Sequence, residues 1–510
     1  MSSQQPQAYD RAMTKKILWK LDCHVLPPLA LLWLCSFIDR SNVGNAGIAG
    51  LKTDTKLHGN QFNTVLTVFY VTYLLVEVPS NLVMKKVGAN IWLPGLVAVW
   101  GAITTLTALA NNFGGLIAIR LFLGLSEGGL LGGIVLYLST IYKPHELQLR
   151  VSIFYASASI SGAFGGLLAT AILSLDGVGN LAGWRWIFVL EGLTTVLSGL
   201  VSAFVLPKSI AEARFLSEEE RKFALVRFHQ DETFTSTTTV TPRVLHSETE
   251  KVDVSITEQV GSLTEAEPIH MMDERFEWRE VIRGLTDFQA WVTAVAFGGL
   301  IVSIYSFSLF LPTIVAGLDF TGKSAQLHTV PPYVPATVLT VIIAILSDRL
   351  KWRGPFILIC LPFAIAGYIL VIVATDNAQR YGAVFLIAAG IYPSAPAILS
   401  ILPNNSSGYY KRATTTALQL AVANCGGFIA TNIYTADQAP TYRRGHSIVL
   451  AFLLLAWVFT AVNVSYCLWE NKARAEGRRQ ANITAYEELW SAGKTRAPVG
   501  DRNPEFRFTL

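Results

Sequence analysis

The chain has 510 residues, of which 52% are hydrophobic and 15% charged, with a formal net charge of +4 and a mean hydropathy of +0.42. Soluble domains carry about 25% charged residues, so this composition excludes an ordinary water-soluble domain and indicates a membrane protein. Apolar stretches of about 20 residues recur, which excludes a membrane β-barrel with its alternating signal of about ten residues. The small positive charge gives no footing for a nucleic-acid partner.

The first 16 residues are polar, and the apolar run over 21–37 serves as its own insertion signal, with no cleavable leader before it. Reading onward, apolar runs predict six transmembrane helices at 21–47, 61–82, 90–110, 113–141, 147–173 and 184–206. Six more are expected at 286–316, 325–347, 355–375, 380–402, 411–436 and 446–470. The expected organisation is a tail (1–20), a six-helix unit (21–206), a linker (207–285), a second six-helix unit (286–470) and a tail (471–510). The linker's middle is rich in Ser, Thr and Glu and poor in aromatics, so it is read as disordered. The flanking stretches SEEERKFALVRF and RFEWREVIRGL are read as short amphipathic helices at the membrane surface.

An even helix count places both tails on one side. Lysines and arginines crowd the tails (Arg11, Lys15, Lys16, Lys20; Lys472, Arg474, Arg478, Arg479), which predicts that both termini are cytosolic. The five cysteines (Cys23, Cys35, Cys360, Cys425, Cys467) show no metal or redox spacing and read as buried small hydrophobes. No Walker A sequence occurs and the GxG-like runs lie inside apolar helices, so no nucleotide, metal or other cofactor is expected.

The fourth apolar run, FGGLIAIRLFLGLSEGGLLGGIVLYLSTIY, carries Arg120 and Glu127. A charge near the bilayer centre costs about 2.5–3.5 kcal/mol on insertion scales, so such residues mark function. Seven residues apart, the two share a helix face but stand about 10 Å apart along the axis, so each needs its own partner. Glu127 can gain and lose a proton; Arg120 cannot. Gly124, Gly128 and Gly132 recur every four residues, spacing that lets helices approach closely. In the first helix Asp39, Asn42 and Asn45 fall on roughly one face beside Arg40, whose guanidinium can fork onto a carboxylate. A pair of Asp39 and Arg40 capping that helix is the bland alternative. In the second half Tyr305, Gln419, Asn424 and Tyr434 are the polar candidates for a cavity, and Pro331, Pro332, Pro393 and Pro396 are expected to bend helices 8 and 10.

Two six-helix halves joined by a loop resemble the major facilitator transporters. Their loop signature, Gly-x-x-x-Asp-Arg-x-Gly-Arg-Arg, is matched by Asp348–Arg349 in AILSDRLKWRG; the first copy, NLVMKKVGAN, keeps Gly88 but has Lys85 where the aspartate belongs. The resemblance implies a gating role for Asp348, Arg349 and Lys85, with an ordinary charge pair as the alternative. FIDRSNVGNAGIAGL, EVPSNLVMKKVG, RLFLGLSEGG, GAFGGLLA, GWRWIFVLEG, TVPPYV and GYYKRATTTALQLAVANCGGFIATNIY, in that order, are similar to the fungal anion:cation symporters. That group contains allantoate, pantothenate and nicotinate permeases, and the nicotinate type looks nearest. Gly132 departs from the proline of many relatives.

The resemblance implies an all-α membrane protein of twelve transmembrane helices in two pseudo-symmetric bundles. It further implies a multi-pass, non-enzymatic plasma-membrane monomer whose partners are lipid, a small organic anion and protons. Arg40, Asn42, Asn45, Tyr305, Gln419, Asn424 and Tyr434 would contact the anion, a monocarboxylate such as nicotinate, while Glu127, Arg120 and Asp39 would carry or tune the proton step. Export of an acidic metabolite and a non-transporting nutrient receptor are the alternatives.

Overall fold

The computed structural model describes residues 4–237 and 277–510, apart from 321, 351, 440, 496 and 498; the Ser/Thr/Glu-rich middle of the linker lies outside the described residues. The described residues run through twelve helical passages. The first six passages are α1 (Gln4–Ala46, closing in a π turn, Gly47–Leu51), α2 (Gln61–Val87), α3 (Ala89–Leu106), the broken pair α4 (Phe113–Glu127) and α5 (Leu130–Ile141), α6 (Pro144–Ile172) and α7 (Gly183–Val205). The linker begins with α8 (Glu218–Thr237) and ends with α9 (Trp278–Leu285). Then follow α10 (Phe288–Ala316), α11 (Tyr333–Leu350), α12 (Gly354–Val373), α13 (Asn377–Asn405), α14 (Tyr409–Ile433) and α15 (Arg443–Ala475).

Helix pairing repeats between the halves. In the first, α1 packs on α6 and α7, α2 on α4, and α3 on α7; in the second, α10 packs on α14 and α15, α11 on α13, and α12 on α15. These are the same four pairings displaced by six passages. The halves meet where α2 packs on α14, α6 on α11 and α13, and α1 on α10.

Among the described residues, eight helices are long and apolar enough, by length and composition, to cross a membrane. The four passages that fall short of that measure are α2, α6, α11 and α14, all of which take part in the contacts between the halves. A helix enclosed by protein needs no lipid-compatible surface all round, so polar groups such as Asn63, Thr67, Glu77, Asn424 and Thr431 are tolerated there. Outward faces are the reverse: Leu75, Ile91, Val99, Phe122, Leu197, Phe204, Ile359, Phe363 and Val373 are exposed, as a hydrocarbon solvent requires.

Three expectations are corrected. The run 113–141 is not one helix. Gly128 leaves helical geometry and Gly129 adopts φ 96°, a conformation costly for other residues. Ser80 of α2 also lies where a Gly129 side chain would stand. Pro331 and Pro332 do not bend helix 8; they precede α11, whereas Pro393 and Pro396 do lie within α13. Among the cysteines, Cys23 and Cys425 are exposed rather than buried.

Gly124 marks the closest approach of α4 to α2. A methyl group there would fall within overlap of the Phe69 carbonyl and the Thr72 hydroxyl, both fixed by the helix they belong to. Gly124→Ala is therefore expected to lower stability by about 1–3 kcal/mol through overpacking. Thermal unfolding in lipid nanodiscs checks it, and an unchanged melting temperature would show that α4 and α2 separate freely.

The end of the bundle that carries both termini is bound by ion pairs. Glu220 of α8 accepts from Lys16 and Lys20, at 3.0 and 2.6 Å, and Arg227 pairs with Glu146. Asp22 of α1 pairs with Arg150 of α6 at 2.7 Å, and the equivalent passages of the second half repeat this with Asp287 and Lys411 at 2.6 Å. The C-terminal tail, expected only as a cytosolic extension, folds back instead. Asp501 pairs with Lys411 at 2.6 Å and with Arg283 of α9, and Leu510 accepts the Arg353 N–H at 2.6 Å.

Candidate functional site

The break after Glu127 decides what that residue can do. It leaves Glu127 at the C-terminal end of α4, where the helix dipole is negative and a second negative charge needs a cation close by. Arg40 of α1 supplies it. Its Nη2 and Nε donate to Glu127 Oε1 at 2.6 and 3.2 Å, and the Ser36 hydroxyl, one turn earlier on α1, donates to the same oxygen at 2.6 Å. Both charges are withdrawn from solvent, Arg40 to 6% exposure and Glu127 to 1%.

Aromatic rings from both halves surround the guanidinium. Its carbon lies 5.3, 5.9, 5.7 and 5.0 Å from the ring centres of Phe37, Phe69, Tyr73 and Tyr305, within cation–π range. Tyr70 of α2 stacks on Tyr305 of α10, centres 5.5 Å apart, carrying the aromatic wall across the junction of the halves.

A small cavity, about 10 Å³ to a water-sized sphere, lies beside the pair, lined by Asp39, Arg40, Val43, Leu66, Phe69, Tyr70, Arg120, Glu127 and Leu309. That is near the least volume that holds one water. Arg120 shares this wall without an ion pair to Glu127 among the described residues, as their spacing along the helix implied. Asp39 is held by the Trp100 ring N–H of α3 at 3.1 Å, not by Arg40. Among the described residues, Arg40 Nη1, Arg120 Nε, Asp39 Oδ1 and Glu127 Oε2 have no hydrogen-bond partner. The wall thus presents two guanidiniums and two carboxylates to the cavity, a formal sum of zero when all are ionised.

The remaining sequence candidates divide. Tyr305 and Asn424 converge: the Tyr305 hydroxyl donates to Asn424 Oδ1 at 3.2 Å. Asn42 and Asn45 bond each other at 3.2 Å and are not among the residues of the cavity wall. Gln419 donates to the Ile398 carbonyl of α13 at 3.2 Å, inside the second half. Tyr434 lies at the far end, bonded through its hydroxyl to His446 Nδ1 at 2.9 Å. Neither these four residues nor Tyr305 and Asn424 line the small cavity itself. The side chains of Lys85 and Asp348 lie outside the described residues, and Arg349 is exposed in the last turn of α11.

Two features of the site lie outside the sequence expectations. One is the aromatic wall of Phe37, Phe69, Tyr70 and Tyr73, which reads locally as ordinary core. The other is Glu77, a carboxylate inside TVFYVTYLLVEVPSNLV; the argument that singled out Glu127 applied to it as well. At the far end the halves are joined by Asn63 of α2, which donates to the carbonyls of Thr431 and Tyr434 at 2.7 and 3.1 Å, and by Thr67 against Thr431 at 2.8 Å.

Comparison with known proteins agrees with this architecture. An uncharacterized transporter of Schizosaccharomyces pombe is 35% identical over 97% of this chain and 90% of its own length. A high-affinity nicotinic acid transporter of Saccharomyces cerevisiae is 31% identical over 97% and 85%. Among solved structures, an inward-facing bacterial homologue of the human lysosomal transporter Spinster superposes with a TM-score of 0.60 at 16% identity, covering 86% of this chain and 96% of that one. The family model of the Major Facilitator Superfamily matches residues 29–431, and the chain belongs to that superfamily of membrane transporters.

Proposed function

We propose that the protein carries a small organic anion, a monocarboxylate such as nicotinate, across the membrane together with protons by alternating access. The observation that carries this reading is the buried Arg40–Glu127 pair on the cavity wall at the junction of the halves, with one guanidinium nitrogen unpartnered among the described residues. An anion entering a cavity whose charges already cancel leaves a net negative charge in a low-dielectric site, which is costly. A proton on Glu127 removes that charge and frees Arg40, whose fork then takes the substrate carboxylate. Anion and proton thus enter as a neutral pair.

The wall of Phe37, Phe69, Tyr70, Tyr73 and Tyr305 suits a flat aromatic ring attached to that carboxylate, in keeping with the nicotinic acid relative. In this reading Arg120 and Asp39 set the field around the pair, and the loops of Lys85 and of Asp348–Arg349 gate the end carrying the termini. Both termini are cytosolic, the site is in the plasma membrane and the transporter works as a monomer; the basic tails support that orientation.

Uptake into proteoliposomes tests the reading. A panel of labelled monocarboxylates that includes nicotinate is offered with and without an inside-alkaline pH gradient. At least one anion should accumulate, by roughly tenfold per pH unit for one proton per anion. Equal uptake with and without the gradient would remove the proton, and no uptake of any anion in either direction would remove transport of this class.

A further inference from the structure

Glu77 on α2 is buried, 5% exposed, and its ionic surroundings differ from those of Glu127. Its Oε2 accepts from the Asn424 amide of α14 at 3.1 Å, across the junction of the halves. Asn424 accepts in turn from the Tyr305 hydroxyl, and the Tyr305 ring lies 5.0 Å from the Arg40 guanidinium carbon. A continuous chain therefore runs from the anion-facing arginine of the first half, through two residues of the second, back to a carboxyl of the first.

Among the described residues, and away from the end that carries the termini, the first half holds four buried carboxyls, Asp39, Glu77, Glu127 and Glu191, against two buried guanidiniums, Arg40 and Arg120. Arg40 bonds Glu127, and Arg120 shares its cavity with Asp39. Two cations offset two carboxylates at most. Glu77 has no ion pair among the described residues, and its surroundings explain why. Its own helix offers Tyr73, α10 offers Tyr305, and α14 offers the neutral Asn424. The α4 carboxyl, Glu127, is taken by Arg40 and Ser36. Gly129, just before α5, lies against Ser80, Gly132 and Gly133 of α5 lie against Asn81 and Met84, and α3 brings the Trp92 ring N–H to Ser80, so none of these adds a charge.

We infer that Glu77 is a second proton-binding residue, filled when α2 and α14 close together and emptied when they part. With the junction closed, a bare carboxylate there would face one amide dipole in a low dielectric, an arrangement costing several kcal/mol that a proton removes. With the junction open, water reaches the carboxyl and its charge is tolerated. A proton at Glu77 and an anion at Arg40 then favour the same closed arrangement, because Tyr305 is positioned by both, and each must strengthen the other by the same factor. This inference rests on the alternating-access reading but not on which anion is carried.

The test uses the full-length protein in lipid nanodiscs without substrate. Spin labels on unnatural residues at the exposed positions His58 and Asp437 report the separation of the halves at the far end. The measurement runs between about pH 5 and pH 8. In the Glu127→Gln background the closed population should rise as pH falls, by up to about tenfold per pH unit for one proton. Adding Glu77→Gln, which keeps an acceptor for Asn424 and cannot ionise, should hold the protein closed and flatten the response to less than about twofold. Asn424→Asp places a second carboxyl beside Glu77 and should move the midpoint to higher pH, because the pair shares a proton. An unaltered pH response in Glu77→Gln, or an unmoved midpoint in Asn424→Asp, overturns the inference. So does a chain whose halves ignore pH while it still accumulates an anion in proteoliposomes. A Glu77-dependent response without any anion flux would instead overturn the transport reading and leave this inference standing.

Discussion

Replacing Glu127 with glutamine should cut gradient-driven accumulation steeply, by the share that the Glu127 proton carries, while leaving counterflow exchange. Glutamine retains an oxygen that can accept from Ser36 and Arg40, whose present bonds to Oε1 are 2.6 Å from each of Ser36 Oγ and Arg40 Nη2. What it removes is the ability to exchange a proton. The substrate carboxylate still meets a free guanidinium, so loaded carriers keep shuttling, but no proton gradient is read at that step. The expected loss is the share of the accumulation ratio that the Glu127 proton carries, roughly tenfold per pH unit. Empty carriers should suffer, because Arg40 is then buried without a counter-charge; breaking a buried pair typically costs about 3–5 kcal/mol. The ring faces around Arg40 soften that cost. Substrate should therefore raise the melting temperature of the variant more than that of the wild type. Loss of exchange together with accumulation would mean that Glu127 holds the site in shape rather than coupling it.

Much of this arrangement is visible in the sequence because lipid is a strict solvent. Arg120 and Glu127 stand out where every neighbour is apolar, and most passages declare themselves by length. What sequence does not carry is helix rotation and helix partnership. Gln419 and Tyr434 have the polarity of cavity residues, yet one faces a carbonyl of α13 and the other His446 at the far end, since a few tens of degrees about the helix axis separate these outcomes. Arg40 and Glu127 are conspicuous singly, but their bond spans 87 positions and leaves no local pattern. The same holds for the tail, where Asp501 meets an arginine 218 positions away. The break at Gly128–Gly129 is hidden for another reason: apolar periodicity continues through it, and the close approach of Ser80 to Gly129 is a contact between helices that no local pattern records. Glu77 was legible and overlooked, because a carboxylate two residues before Pro79 and close to Lys85–Lys86 resembles the polar end of a helix.

Arg40 is the residue whose loss should be most severe, and its two roles can be separated. Arg40→Lys keeps the positive charge but gives a point donor instead of a fork, on a side chain that cannot hold Glu127 and a substrate carboxylate in one plane. One charged hydrogen bond is worth about 1.5–3 kcal/mol, so substrate affinity should fall by about tenfold to a hundredfold while the protein stays folded. Arg40→Gln goes further and leaves Glu127 buried without its cation, with an expected loss of about 3–5 kcal/mol of stability. Arg40→Gln combined with Glu127→Gln removes both charges from a site that Ser36 and a glutamine pair can fill with neutral hydrogen bonds. Most of the lost stability should return, and transport should not. Stability would be followed by thermal unfolding in nanodiscs, and binding by displacement of the labelled anion that proteoliposomes accumulate. A double variant as unstable as Arg40→Gln would mean the pair does not hold the first half together. A double variant that still accumulates anion would place the carboxylate site elsewhere, with Arg120 as the remaining guanidinium on the same wall.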